Sequence, residues 1–197
     1  MRKPPRPQPP PEPMLCYIPS LMLLVRKPAL VARQSSPFSF TFFDADQQKV
    51  GSLRFPDFAA ATNARLKPPA GIRQQTEIVI GADTLQIEFE YLDRAWINDL
   101  EYRLKRGSET LASATWVKSR ARQSQLSIQQ PFNADLHNKS TWLGIRNDLV
   151  QNKQIWGSIF ERGFTVNRRV WIDLPSDLPL QIQCFLFFLV YSRSIGN

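Results

Sequence analysis

The C-terminal stretch of residues 176–195 restricts the fold more than any other part of the sequence. Ser176 and Asp177 suit the start of a helix, as an N-cap and a first-turn acid, and Pro179 falls where a helix tolerates proline. The predicted helix of residues 178–193 has no polar stripe in its second half, since residues 184–191 (CFLFFLVY) are apolar or aromatic. A helix that is apolar on every side has to be enclosed, either by protein or by lipid.

The composition is that of a folded, aromatic-rich and basic chain. Its 197 residues include 13 Phe and 5 Trp against 8 Gly, which favours large aromatic side chains packed on β-structure. The formal net charge of +8 favours an anionic partner, whether a phospholipid surface, a phosphorylated ligand or a nucleic acid. Two cysteines, Cys16 and Cys184, provide no disulfide framework, so a reducing compartment and a cytoplasmic location are expected.

The rest of the chain is predicted to be a proline-rich arm followed by one strand-rich domain. Residues 1–13 (MRKPPRPQPPPEP) predict a disordered basic arm, and residues 14–197 predict a single domain. Within the domain, apolar and polar residues alternate with period two around polar turns, as is typical of antiparallel hairpins with one buried face. Hairpins are predicted at residues 39–43 with 49–55, 77–80 with 85–91, 100–105 with 110–117, and 154–160 with 164–174. Other predicted elements are a buried strand or strand pair at 15–25, a short helix at 57–67, a strand at 125–129, and, between 131 and 152, a loop with a strand or helical turn near 142–145.

The C-terminal helix decides which strand-rich architecture is expected. Short antiparallel strands at this spacing form sandwiches or barrels. A sandwich has no room for a helix that is apolar on all sides, whereas a wide closed barrel can enclose one and also leaves no free sheet edge. A helix of about sixteen residues rises about 24 Å, which matches the height of a barrel. We therefore expect a mainly β fold, a closed antiparallel β-barrel around the hydrophobic C-terminal helix.

This pattern resembles the tubby C-terminal-like superfamily, which includes the plant LURP-one-related proteins and the phospholipid scramblases. The resemblance is carried by the hairpins 39–43/49–55 and 100–105/110–117, and above all by residues 170–190 (VWIDLPSDLPLQIQCFLFFLV), which look like a last strand delivered into a central helix. It covers residues 15–195 and is architectural, without a short diagnostic motif. The resemblance implies a non-enzymatic barrel of about twelve strands, and it implies phosphoinositide binding through basic surface residues in the tubby proteins. It assigns no lipid-binding residue of this chain.

The sequence contains no pattern typical of a common catalytic or cofactor site, so a non-enzymatic protein without cofactor or metal is expected. No GxSxG sequence is present to supply a serine nucleophile for the single histidine, His137. This histidine is therefore expected to be a surface residue of a polar loop. Two distant cysteines and one histidine do not make a zinc site. Neither GxGxxG nor GxxxxGK[ST] occurs, which excludes nucleotide binding by those loops.

Basic residues around two hairpins are the remaining candidates for a binding site. Alternation places neighbouring cations of a strand on one face, where they attract phosphate groups or simply keep the outer face of a barrel soluble. Nucleic-acid binding is disfavoured, because most aromatic residues alternate into the expected core. The candidate lipid- or phosphate-binding residues are Arg103, Lys105, Arg106, Lys118, Arg120, Arg122, Arg168 and Arg169.

Three functional hypotheses follow from the sequence. The leading one is a barrel domain that binds peripherally to anionic phospholipid or to a phosphorylated partner. The second is a membrane-anchored protein held by its C-terminal hydrophobic segment. The third is a small-ligand-binding or scaffold barrel. Oligomeric state and protein partners are not predicted.

Overall fold

The computed structural model describes residues 30–36, 39–54, 76–94, 97–117, 125–139, 144–161 and 168–195. The predicted N-terminal arm, the apolar segment 15–25 and the predicted helix 57–67 lie outside these residues. Within them, the side chains of residues 91, 93, 94, 97, 98 and 193–195 are also outside the description.

Twelve antiparallel strands form a closed barrel, as the sequence predicted. From β2 to β12 each strand pairs with the next one in the chain, and β1 closes the ring by pairing with both β2 and β12. The strands are β1 (Leu30–Ser36), β2 (Ser39–Asp44), β3 (Lys49–Arg54), β4 (Thr76–Ile80), β5 (Asp83–Arg94), β6 (Ile97–Arg106), β7 (Glu109–Val117), β8 (Gln125–Gln130), β9 (Ala134–Asn138), β10 (Arg146–Gln151), β11 (Gln154–Glu161) and β12 (Arg169–Asp173).

The single described helix, α1 (Leu180–Ile195), fills the barrel. Side chains from Ile182 to Tyr191 are buried on all sides of the helix, and they belong to the same core as the inward-facing residues of the strands. Aromatic contacts join the two layers: the Phe187 ring meets Phe40 edge-on at 4.9 Å, and Phe188 meets Tyr102 at 5.7 Å. Protein, rather than lipid, therefore encloses the apolar helix.

The helix begins two residues later than the sequence predicted. Leu178 donates its backbone N–H to the carbonyl of Pro175, which forms a turn between β12 and the helix. Pro179 then precedes the first helical residue, and its carbonyl accepts the backbone N–H groups of Ile182 and Gln183. Ser176 is therefore in a turn and is not the N-cap.

The strand prediction was wrong in two regions. Strand β1 was not predicted, and residues 131–152, predicted as mostly loop, contain β9 and β10. His137 accordingly lies on a strand and not in a loop, although its side chain is exposed as expected. The other described strands overlap the predicted ones, and residues 164–167 of the last predicted hairpin lie outside the described residues.

The chain passes closely over itself where β12 leads into the helix. A Cβ atom on Gly157 of β11 would lie 2.6 Å from the carbonyl oxygen of Asp173 and 2.9 Å from the Cα of Leu174. Both neighbours are backbone atoms, so only glycine fits here. This crossing lies at the end of the barrel where α1 begins. The tight turns between strands that the structure describes lie at the same end of the barrel. We call it the upper end.

Candidate functional site

The predicted cations of β6 are neutralised by carboxylates on the outer face of the barrel. Arg103 donates from Nε and Nη2 to the Glu101 carboxylate, at 3.0 and 2.7 Å, and its Nη1 lies 3.5 Å from Glu90. The hydrogen bond with Glu101 raises the pKa of Arg103 above the ordinary value of an arginine. Lys105 lies 2.9 Å from Glu88, and Arg106 lies 3.0 Å from Asp83.

The other predicted cations do not join this group. Lys118, Arg120 and Arg122 lie outside the described residues, between the end of β7 and the start of β8. Arg168 and Arg169 lie at the start of β12, which is on the side of the ring opposite to β6 and β7. The eight predicted residues therefore do not form one described patch.

The described part of the barrel does not carry the positive charge of the chain. Among the side chains that the structure describes there are 11 Lys and Arg residues and 14 Asp and Glu residues, against 25 and 17 in the whole sequence. A cationic site on the described surface has to be a local cluster without carboxylates. One such cluster exists on the strands that close the barrel.

We call this surface the closure face; it is formed by outward-facing residues of β11, β12, β1 and β2. One row across the four strands is apolar, with Phe160 opposite Trp171, Trp171 opposite Val31, and Val31 opposite Phe43. In the row below, Arg33 of β1 lies directly opposite Arg169 of β12. The closure face is therefore defined by Phe160, Trp171, Val31, Phe43, Arg33 and Arg169.

The two arginines of the closure face lack an acidic partner among the described residues. The Arg33 guanidinium lies 4.4 Å from the centre of the Phe43 ring, a cation–π contact, and it donates a hydrogen bond to the side-chain oxygen of Gln47. Arg169 is exposed. Like charges directly opposite each other on neighbouring strands repel, and the nearest carboxylate along β12 is Asp173, two residues beyond Trp171. An anion bound between the arginines would relieve this repulsion.

Each aromatic ring of the closure face is in contact with another side chain of that face. Phe160 and Trp171 are stacked, with centroids 6.2 Å apart and planes 13° from parallel. Phe43 is covered by Arg33. All three side chains are partly exposed. The surface is therefore a fixed, amphipathic patch next to two cations.

A second polar cluster lies at the lower end of the barrel around the last turns of α1. The Glu161 carboxylate lies 3.4 Å from the Arg168 guanidinium, which also hydrogen-bonds the buried Tyr191 hydroxyl. Burial raises the pKa of Glu161, and Arg168 opposes this effect. Burial likewise raises the pKa of Tyr191. Arg168 is thus bound within the protein, unlike its neighbour Arg169.

A third cluster surrounds Asp148, a fully buried carboxylate on the outward-facing side of β10. Lys139 lies 2.8 Å and Arg146 3.3 Å from its oxygens, and Ser158 donates a hydrogen bond of 2.7 Å. Burial alone would raise the pKa of Asp148, but these bonds and charges lower it overall. His137 faces Asp148 on the neighbouring strand.

This third cluster has serine, histidine and aspartate in neighbouring positions but not in catalytic order. A hydrolase triad needs the serine hydroxyl on the histidine, whereas Ser158 donates directly to the Asp148 carboxylate. The part of the chain that the structure describes also contains no group of three or more metal-ligating side chains. These residues therefore have a structural explanation as an ion-pair network.

Fold and site together define a class of protein: a closed twelve-stranded antiparallel barrel with its C-terminal helix inside. The lumen is occupied by the side chains of α1, so an interior ligand site is not formed by the described residues. Among the described helices, none has the length and apolar character needed to cross a bilayer. Comparison of the chain with protein-family models, with curated proteins and with solved structures finds no match in any of the three.

Sequence reasoning named Arg169 but missed the rest of the closure face, because its residues come from opposite ends of the domain. Phe43 interrupts the alternation of β2 as an apolar residue at an outward position, and Trp171 does the same in β12. These two outward aromatics were the available indication. Only the pairing of β1 with β12 brings them together beside Arg33 and Arg169.

Proposed function

We propose that the protein is a non-enzymatic barrel domain that binds peripherally to anionic phospholipid membranes through the closure face. The observation that carries this proposal is the cross-strand pair Arg33 and Arg169 beside the aromatic row of Phe43, Trp171 and Phe160. Each cation near an anionic bilayer surface contributes about 1 kcal/mol to binding. Tryptophan next to such cations favours the headgroup region, because one part of its ring system is apolar and the other part donates a hydrogen bond.

The geometry favours a membrane over single-stranded nucleic acid as the anionic partner. Bases stack on open aromatic faces, but Phe43 is covered by an arginine and the rings of Phe160 and Trp171 stack on each other. A lipid interface needs only partly exposed aromatic side chains and no open ring faces. Membership of the tubby C-terminal-like superfamily stays a prediction, which the barrel with its enclosed helix supports.

Co-sedimentation with vesicles tests the proposal. The double variant Arg33→Glu/Arg169→Glu is expected to weaken binding to vesicles of phosphatidylcholine with phosphatidylserine at least about tenfold, and raised salt should weaken wild-type binding. The control is Arg106→Glu, which reverses one cation on the opposite side of the ring. Equal binding to neutral and anionic vesicles, or an equal loss in the control, would contradict the proposal.

A further inference from the structure

The hairpin of β10 and β11 exposes two large hydrophobic side chains at the upper end of the barrel. Ile155 is 59% exposed and Trp156 is 37% exposed. The other two large hydrophobic residues with comparable exposure in the described part of the chain, Val79 and Val117, lie singly on β4 and β7. Exposed apolar area is therefore concentrated at this hairpin.

The hairpin projects beyond its neighbour and is held in a fixed shape. Strand β12 pairs with β11 only from Ser158 onward, and the chain that follows β12 crosses β11 at Gly157, so residues 154–156 extend past this neighbour. The two-residue turn at Asn152 and Lys153 has positive φ at both positions, 51° and 65°, which suits the twist of paired strands. Trp156 is the extra residue of a β-bulge between the pairs Leu149–Gly157 and Val150–Ile155.

The exposed ring of Trp156 is also supported by packing. It meets the Phe132 ring edge-on, with centroids 5.2 Å apart, and Phe132 in turn packs against the barrel core. A bulge changes the direction in which a side chain points. The backbone and the contact with Phe132 therefore hold the Trp156 side chain in its exposed position.

We propose that Ile155 and Trp156 insert into the interfacial layer of the same anionic membrane, an inference that rests on the proposed function. Residues 149–157 (LVQNKQIWG), which form the tip of the hairpin, contain one cation, Lys153, and no carboxylate, so no charge of the tip itself repels an anionic bilayer. A convex tip with an aliphatic and an indole side chain fits the acyl–headgroup boundary.

The hairpin and the closure face can reach one membrane surface because they share a strand. Trp156 and Phe160 are four residues apart on β11, a distance of about 13 Å at the usual rise of a strand. The closure face would supply the salt-dependent part of binding, and the hairpin tip would supply an apolar part that salt does not weaken.

Variants at the tip test the insertion. Ile155→Ser/Trp156→Ser is expected to reduce partitioning onto phosphatidylserine-containing vesicles at least about tenfold, while leaving its salt dependence unchanged. The control, Val117→Ser, removes a hydrophobic side chain that is 40% exposed on another strand and should bind as wild type. Thermal unfolding should show that both variants fold, because the altered side chains are exposed.

Quenching of tryptophan fluorescence by bromine-labelled phosphatidylcholine chains gives an independent readout. Wild type should be quenched in vesicles, and Trp156→Phe, which keeps an aromatic tip, should bind but lose a large part of that quenching. Wild-type binding by the tip variant together with weakened binding by Arg33→Glu/Arg169→Glu would overturn the insertion alone. The reverse pattern would overturn the closure-face proposal alone, and a wild-type protein that binds no vesicle would overturn both.

Discussion

At the scale of the residue, a substitution of Asp148 measures how much the ion-pair network around it contributes to the free energy of unfolding. Asp148 is fully buried, and its ionised form is held by Lys139, Arg146 and Ser158. We expect Asp148→Asn to lower the free energy of unfolding at neutral pH by about 1–3 kcal/mol, since the two cations are half-exposed and water replaces part of the loss. Chemical denaturation measures the change, with Asp46→Asn, an exposed turn carboxylate, as the control.

The pH dependence of this change has a definite sign. Because the pKa of Asp148 is lower in the folded protein than in the unfolded chain, its contribution is present above the unfolded-state pKa. It is lost as the pH falls through the folded-state pKa. The difference between wild type and Asp148→Asn should therefore shrink in acid, and a difference that grew in acid would contradict the assigned ion pairs.

The same residues explain why β10 was not predicted from the sequence. Alternation of apolar and polar residues predicts a strand only when the buried positions are apolar. In β10 the buried run includes Asn147 and Asp148, so the pattern resembles a polar loop. Likewise, the basic residues of β6 could be found from the sequence, but their carboxylate partners on β5 depend on the pairing register.

At the scale of the element, the helix was predictable and its energetics can be tested directly. Leu186 and Phe187 are fully buried on different sides of α1. Leu186→Asp should abolish cooperative unfolding or cost more than about 4 kcal/mol, because an unpaired charge would be buried inside the barrel. Far-UV circular dichroism during thermal denaturation measures the effect.

The matched control introduces the same residue into the same helix. Gln181 lies in the first turn of α1 and is partly exposed. An aspartate at this position would interact favourably with the positive end of the helix dipole, so Gln181→Asp should leave the free energy of unfolding nearly unchanged. A Leu186→Asp variant that remained soluble and cooperative would mean that the helix does not form the core.

Strand β1 is an element that the pattern of apolar and polar residues could not predict. Its sequence, LVARQSS, has Leu30, Val31 and Ala32 all buried and does not alternate. Val31 faces outward but is buried between neighbours from β12 and β2, namely Trp171 and Phe43. Hairpins are predictable from adjacent residues, whereas this closing strand takes its character from partners distant in the chain.

At the scale of the whole molecule, the strands and helix share one hydrophobic core, so they should unfold together. If α1 left the lumen, its apolar surface and the inward faces of the surrounding strands would be exposed to water at the same time. Such a partial opening should cost nearly as much as complete unfolding. The sequence indicated an enclosed helix, but the order in which twelve strands surround it depends on the β1–β12 pairing.

Native-state hydrogen exchange tests this coupling. Backbone amides of α1 from Cys184 to Tyr191 should exchange only through global unfolding, with free energies equal to that of complete denaturation. Amides at the tip of the β10–β11 hairpin, around Asn152 and Lys153, should exchange through local opening at lower free energy, because this turn projects beyond β12. Exchange of the α1 amides at a lower free energy than that of the buried strand residues Phe40 and Leu104 would mean that the helix can leave an intact barrel. A helix held only by its ends would give that result, whereas one packed on every side requires the strands around it to separate first.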